Sequence, residues 1–255
     1  MKSNMIALVQ RDLILIENQI PFPVLKELSF KFGDENKKKI TFNQFFAQIR
    51  SVPPPTESWR EYIKKFLSDL AFGGRKAAQD VKRTTGIFDG EPAHLLDLMR
   101  SNLFDKSVLT KLPPCKYGDF FAHGSAKELK AVRFRFRLSK TSLLTDVDFK
   151  SGYLTGTLKF PPICIVNSTK YLLLNTVAYE SSIDGLESPD DFGVSSYICL
   201  MASLIDHAEE VKELLSGGVL LNFLGSDQQV ADLFNEMGYT LVSHPALLIL
   251  LLKIK

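Results

Sequence analysis

Three arginines alternate with apolar residues in Val132-Arg133-Phe134-Arg135-Phe136-Arg137-Leu138. A period of two puts the apolar groups on one face of a strand and three guanidinium groups on the other. Three cations on one face have the chemistry to hold phosphates or lipid headgroups. The plainer reading, which is preferred, pairs Arg133, Arg135 and Arg137 with Asp146 and Asp148 across a sheet. Those two aspartates share a face of their own expected strand, where they suit acid–base work or a cation. Solvated carboxylates on an open sheet face account for them more simply.

Other chemistry has less support. No GxSxG elbow is present, and His123-Gly124-Ser125 is a local coincidence. His94, His123, His207 and His244 show no HExxH or comparable metal spacing. Gly73-Gly74-Arg75-Lys76 lacks both the strand before a phosphate loop and the Ser or Thr after its lysine. Cys115, Cys164 and Cys199 are odd in number and far apart, which fits reduced core thiols rather than zinc or a redox pair. Thus no catalytic residue, metal or cofactor is assigned. The alternative kept open is an enzyme whose pocket assembles from distant residues such as His94, Asp146 and His207. Nucleic acid is disfavoured, since the basic strand carries inward aromatics and no RNP-like or zinc-finger signature.

The elements that must position these residues read as an α+β protein, predominantly helical, with one small antiparallel sheet over about residues 132–160. Apolar residues make up 45% of the 255-residue chain, enough to bury a real core in a single helix-rich region. Asp12 to Phe32 is densely apolar but holds Pro21 and Pro23, so two helical pieces with a break are expected. Gly33–Lys39 reads as a turn and the Phe-rich stretch after it as helix. Ser51–Thr56, with three prolines, reads as a linker, and Glu57 to Leu70 as an amphipathic helix. Glu91-Pro92 opens a helix that buries Leu95, Leu96, Leu98, Met99 and Leu103. Mobile loops are expected over 73–90, 105–124 and 181–193.

Ser125 with Glu128 forms a capping box. After the Arg strand, Leu144–Phe149 and Tyr153–Phe160 form a hairpin ended by Pro161-Pro162. Asn167 or Ser168 caps a helix through Tyr179, so the Asn167-Ser168-Thr169 sequon serves as a cap. One long helix spans Val194 to Ser216 and stops at Gly217-Gly218. A last helix starts at the Ser226/Gln229 capping box and closes at Gly238 as a left-handed cap.

Charge is divided along the chain. Up to Lys140 there are 25 Lys and Arg against 15 Asp and Glu, and beyond it 6 against 14. Such a split suits a basic face for acidic lipid, or two parts that attract each other, and the second is preferred. The opening segment reads as a poor signal peptide, so residence on the cytoplasmic side is expected. Ala246–Leu252 is too short to cross a bilayer.

From Asp12 to Phe22 the sequence DLILIENQIPF resembles the DLLLLENQLPFFVL signature of the plant proteins called domain of unknown function 247. Pro92 to Leu98 is similar to that family's HLLDLLR stretch, Ser125 to Leu129 to its A-x-EL segment, and Ser142 to Phe149 to its SLLDIKF. Val194 to Tyr197 resembles its VTSY and Leu224 to Asn235 its LGSDEEVADLFN. The resemblance covers nearly the whole chain. It implies no established enzymatic activity and no functional residues to carry over. Family members usually have a region ahead of the ENQ segment and a transmembrane helix near the carboxyl end, so a truncated member is expected. The function expected is a membrane-linked protein-interaction or signalling module. Its partner is a protein, with an anionic membrane surface as a further contact through Arg133, Arg135 and Arg137.

Overall fold

The computed structural model describes residues 12, 14–30, 92–103, 124–139, 143–152, 155–182 and 192–241. The turn at 33–39, the Phe-rich segment, the proline linker, the helix from Glu57, the loops at 73–90 and 105–123 and the 246–252 tail lie outside these residues. Of the loop expected at 181–193, only the ends are described: Ser182 closes one helix and Gly193 opens the next.

The prolines divide the first segment. A 3-10 turn at Ile16–Asn18 precedes α1, Phe22–Phe30, whose second residue is Pro23, a position where a missing amide proton costs nothing. Gln19 explains how this segment is held. Its Oε1 accepts from the Leu96 amide (2.9 Å) and its Nε2 donates to the Leu15 carbonyl (2.7 Å). The Phe22 amide donates to the Ala93 carbonyl, and the Ile16 amide to Asn175 Oδ1. Ile14, Leu95, Met99 and Leu172 form a small apolar cluster beneath, with Leu25 against it.

Helix α2, Leu95–Leu103, begins later than Glu91-Pro92. His94 caps it, with Nδ1 accepting from the Asp97 amide (3.1 Å) while Asp97 Oδ2 accepts from the Ala93 amide (2.9 Å). The capping box of α3, Ala126–Ala131, is present as expected. Strands β1 (Phe134–Leu138), β2 (Asp148–Ser151) and β3 (Gly156–Phe160) then form a sheet in the order β1-β3-β2.

This sheet is mixed, not antiparallel. The β2–β3 hairpin is antiparallel, but β1 lies parallel to β3 with Arg135 opposite Thr157 and Arg137 opposite Lys159. The sequence stretch between β1 and β2 crosses to the far edge, so β1 meets the returning strand of the hairpin. A second sheet, absent from the sequence reading, pairs β4 (Ile163–Ile165) in parallel with β5 (Leu220–Asn222). Pro161 and Pro162 end β3 but do not end the extended chain.

Helix α4, Thr169–Ser182, starts where Thr169 Oγ1 accepts from the Val166 amide and donates to the Cys164 carbonyl. The sequon's Thr169 hydroxyl is thus held internally, in the turn that leads into α4, and it accepts from an amide ahead of the helix instead of capping the helix as expected of Asn167 or Ser168. The single long helix expected from Val194 is two: α5, Gly193–Leu204, and α6, Ala208–Ser216. Ile205 is extended, and the His207 amide donates to Glu210 Oε2 (2.9 Å), starting a new helix after the polar pair Asp206-His207, which the apolar period alone conceals. Gly218, at φ 74, closes α6 in the left-handed region as expected.

Helix α7, Asp227–Thr240, keeps the Ser226/Gln229 box but runs through Gly238. That glycine is not a cap. A Cβ there would stand 2.4 Å from Ala202 Cβ, so the missing side chain lets α7 approach α5 closely. Most of α5 is buried, in keeping with a helix that carries no charged residue. Around it one core joins Phe136, Leu158 and Phe160 from the first sheet, Ile163, Ile165 and Leu220 from the second, and Val230, Phe234 and Met237 from α7. The described chain is therefore α+β, mainly helical, with two small sheets.

Candidate functional site

The inner face of the three-stranded sheet is aromatic: Phe134 stacks on Phe149 at 5.7 Å, and Phe136 packs on Phe160 at 6.3 Å. Burial of these rings turns the intervening residues outward. The registers place Arg135, Thr157 and Lys150 in one cross-strand row of the outer face, and Arg137, Lys159 and Asp148 in the next. Four cations and one carboxylate therefore share a rigid surface, with Arg135, Arg137 and Lys150 exposed. Asp148 approaches Lys159 at 4.0 Å, the limit of an ion pair.

The structure thus keeps Arg135 and Arg137 together and sets Arg133 apart. Arg133 lies in the turn before β1 at φ 68, a left-handed position that removes it from the strand's alternation. None of the three arginines forms an ion pair with a carboxylate among the described residues. The pairing of the arginines with Asp146 and Asp148 is not what is observed. Asp146 precedes β2 in a turn, and β3 stands between β1 and Asp148. Sequence reasoning missed Lys150 and Lys159, because only strand register brings them beside the arginines.

Four cations elsewhere among the described residues are engaged. Lys127 and Lys130 on α3 pair with Glu209 and Glu213 on α6, and Lys170 pairs with Glu236 at 2.6 Å. The Lys127–Glu209 hydrogen bond holds the ammonium above, and the carboxyl below, its ordinary range. Arg100 and Glu180 are both buried, with Nε to Oε1 at 3.2 Å. Glu180 also accepts from the Val194 and Ser195 amides, each at 2.9 Å, and from Ser195 Oγ at 2.7 Å. A carboxylate on α4 thereby satisfies the first turn of α5, where backbone amides lack helical partners. The chemistry of this centre is structural, for four donors occupy both oxygens.

His94, Asp146 and His207 sit on three separate elements: the start of α2, the turn before β2 and the start of α6. Burial pushes His94 below its ordinary pKa, partly countered by Asp97, and its ring meets Tyr179 edge-on at 4.6 Å. Burial pushes Tyr179 up to about 12, helped by the charge and hydrogen bond of Asp97. Cys164 is pushed up to about 12 by burial, leaving it a packing thiol. Among the described residues no group of three His, Cys, Asp or Glu is placed to hold a metal, and no helix is long and apolar enough to cross a membrane.

No solved structure matches the chain. The UPF0481 protein At3g47200 of Arabidopsis thaliana is 26% identical over 241 residues, covering 92% of this chain and 47% of that one. The putative UPF0481 protein At3g02645 of the same plant is 32% identical over 113 residues, covering 44% of this chain and 20% of that one. The chain thus spans about half the length of the first relative and a fifth of the second. The family described as DUF247, plant protein of unknown function, matches residues 1–250, and the chain belongs to that family.

Proposed function

We propose that the chain acts by binding rather than by catalysis, as a membrane-linked interaction module whose outer sheet face meets an acidic partner. The observation that supports this reading is the surplus of cations at Arg135, Arg137, Lys150 and Lys159, fixed on a sheet whose other side is aromatic core. A rigid base spares the entropy of ordering a loop on binding. The other polar centre is enclosed and already satisfied by its own helices.

The test is retention of the tagged full chain on immobilised polyglutamate and on vesicles containing phosphatidylserine, at low and raised salt. Salt-sensitive retention on at least one, lost on replacing Arg135 and Arg137 by Glu, is expected. No retention on either surface at low salt overturns the reading.

A further inference from the structure

We infer that the outer face of the three-stranded sheet is a docking face for an anionic lipid surface, with Arg135, Arg137, Lys150 and Lys159 as its headgroup contacts. This rests on the reading of that face as the acidic-partner surface, and commits it to one occupant.

The shape of the site selects that occupant. Adjacent strands lie about 4.8 Å apart and alternate residues about 7 Å apart along a strand, so the four cations form a compact array roughly 10 Å wide. Thr157, small and half-buried, lies between Arg135 and Lys150 in the middle strand. A planar lattice of phosphate-bearing headgroups complements such an array. An acidic peptide adding as a strand beside β1 would meet Gly217, where an added Cβ would be 2.9 Å from the Phe136 carbonyl oxygen, whereas a headgroup layer meets the outer face and needs neither edge.

The entry to β1 adds a second feature. Val132 is 61% exposed beside Arg133, whose left-handed backbone turns the chain sharply into the strand. An exposed apolar residue flanked by a long cation suits the boundary between headgroups and acyl chains, where the arginine stem packs and its charge stays with phosphate. On this account Arg133 contributes at the rim, apart from the cross-strand rows.

The experiment is co-sedimentation of the full chain with phosphatidylcholine vesicles, with and without phosphatidylserine, across a salt series. Binding should require phosphatidylserine and weaken with salt. Replacing Arg135 and Arg137 by Ala should lower it about fivefold per cation. The variant Lys127→Ala/Lys130→Ala removes the same charge from cations already held by Glu209 and Glu213, and should bind nearly as the parent does. Equal loss in both variants, with unfolding midpoints unchanged, would mean that net charge alone acts, and would overturn the assignment to this face. Salt-sensitive retention on polyglutamate without binding to phosphatidylserine vesicles would overturn the lipid assignment and leave the interaction reading standing. Failure on both surfaces removes both.

Discussion

Arg100 and Glu180 show how much one buried pair can organise. Glu180 is fully enclosed, and its oxygens join α2, α4 and the first turn of α5. Arg100→Ala would leave that carboxylate without its cation, at a cost of about 3–5 kcal/mol. Urea unfolding of the variant should show this loss, and adding Glu180→Gln should recover part of it, because no unpaired charge then remains. His94 gives a pH signature at the same scale. Its folded pKa is depressed, so the unfolded chain binds the proton more readily, and stability falls as pH drops below the unfolded value of about 6.5. Urea midpoints for the parent should therefore fall more between neutral and mildly acidic pH than those of His94→Asn. Neither residue's role was legible in the sequence. His94 drew notice only for metal spacing and as a member of a distant-residue pocket, Arg100 lies unremarked inside an apolar helix, and its partner Glu180 is eighty positions away.

Among elements, capping chemistry was the most legible signal. The boxes at Ser125/Glu128 and Ser226/Gln229 start α3 and α7 where the residues said they would, because a cap is local and owes nothing to the rest of the fold. Helix ends that depend on packing were not legible. Gly238 looks like a terminator, yet α7 needs it as a notch for Ala202. Substituting Ala there raises helix propensity by about 1 kcal/mol, but the 2.4 Å approach to Ala202 Cβ should outweigh that gain by forcing the helices apart. The expected result is net destabilisation of about 1–3 kcal/mol in thermal or urea unfolding, relieved by Ala202→Gly in the double variant. A more stable single variant would contradict the close approach. The Glu17-Asn18-Gln19 run gains a physical reason in the same way. Gln19 links the 3-10 turn to the start of α2, and Asn18 Nδ2 donates to the Asp12 carbonyl.

For the molecule as a whole, the charge division along the sequence proves partly internal. Lys127, Lys130 and Arg100 come from the basic portion, and their partners Glu209, Glu213 and Glu180 from the acidic one. What the sequence could not show was which cations would be left over, since that depends on strand order. Alternation located the Phe134–Leu138 part of the strand expected from Val132, but alternation is the same for parallel and antiparallel strands, so the β1-β3-β2 order and its basic outer face had to come from the structure. The β4–β5 sheet was illegible for a related reason: three-residue strands give too short a pattern to recognise. A fragment ending at Ser216 would lose β5 and α7 together, and with them Leu220, Val230, Phe234 and Met237 of the core. Such a fragment should bind a hydrophobic dye and lack a cooperative thermal transition by circular dichroism.

The parallel pairing of β4 with β5 also bears on how the chain is made. Ile163–Ile165 leaves the ribosome well before its partner, because α4, α5 and α6 must be synthesised in between. At about 5–20 residues per second, the nascent strand waits roughly 3–11 s with one edge of its ladder unpaired. A hydrophobic strand in that state is a target for chaperones or for a neighbouring copy, so the stall-sensitive stretch of translation should lie between Ile165 and Leu220.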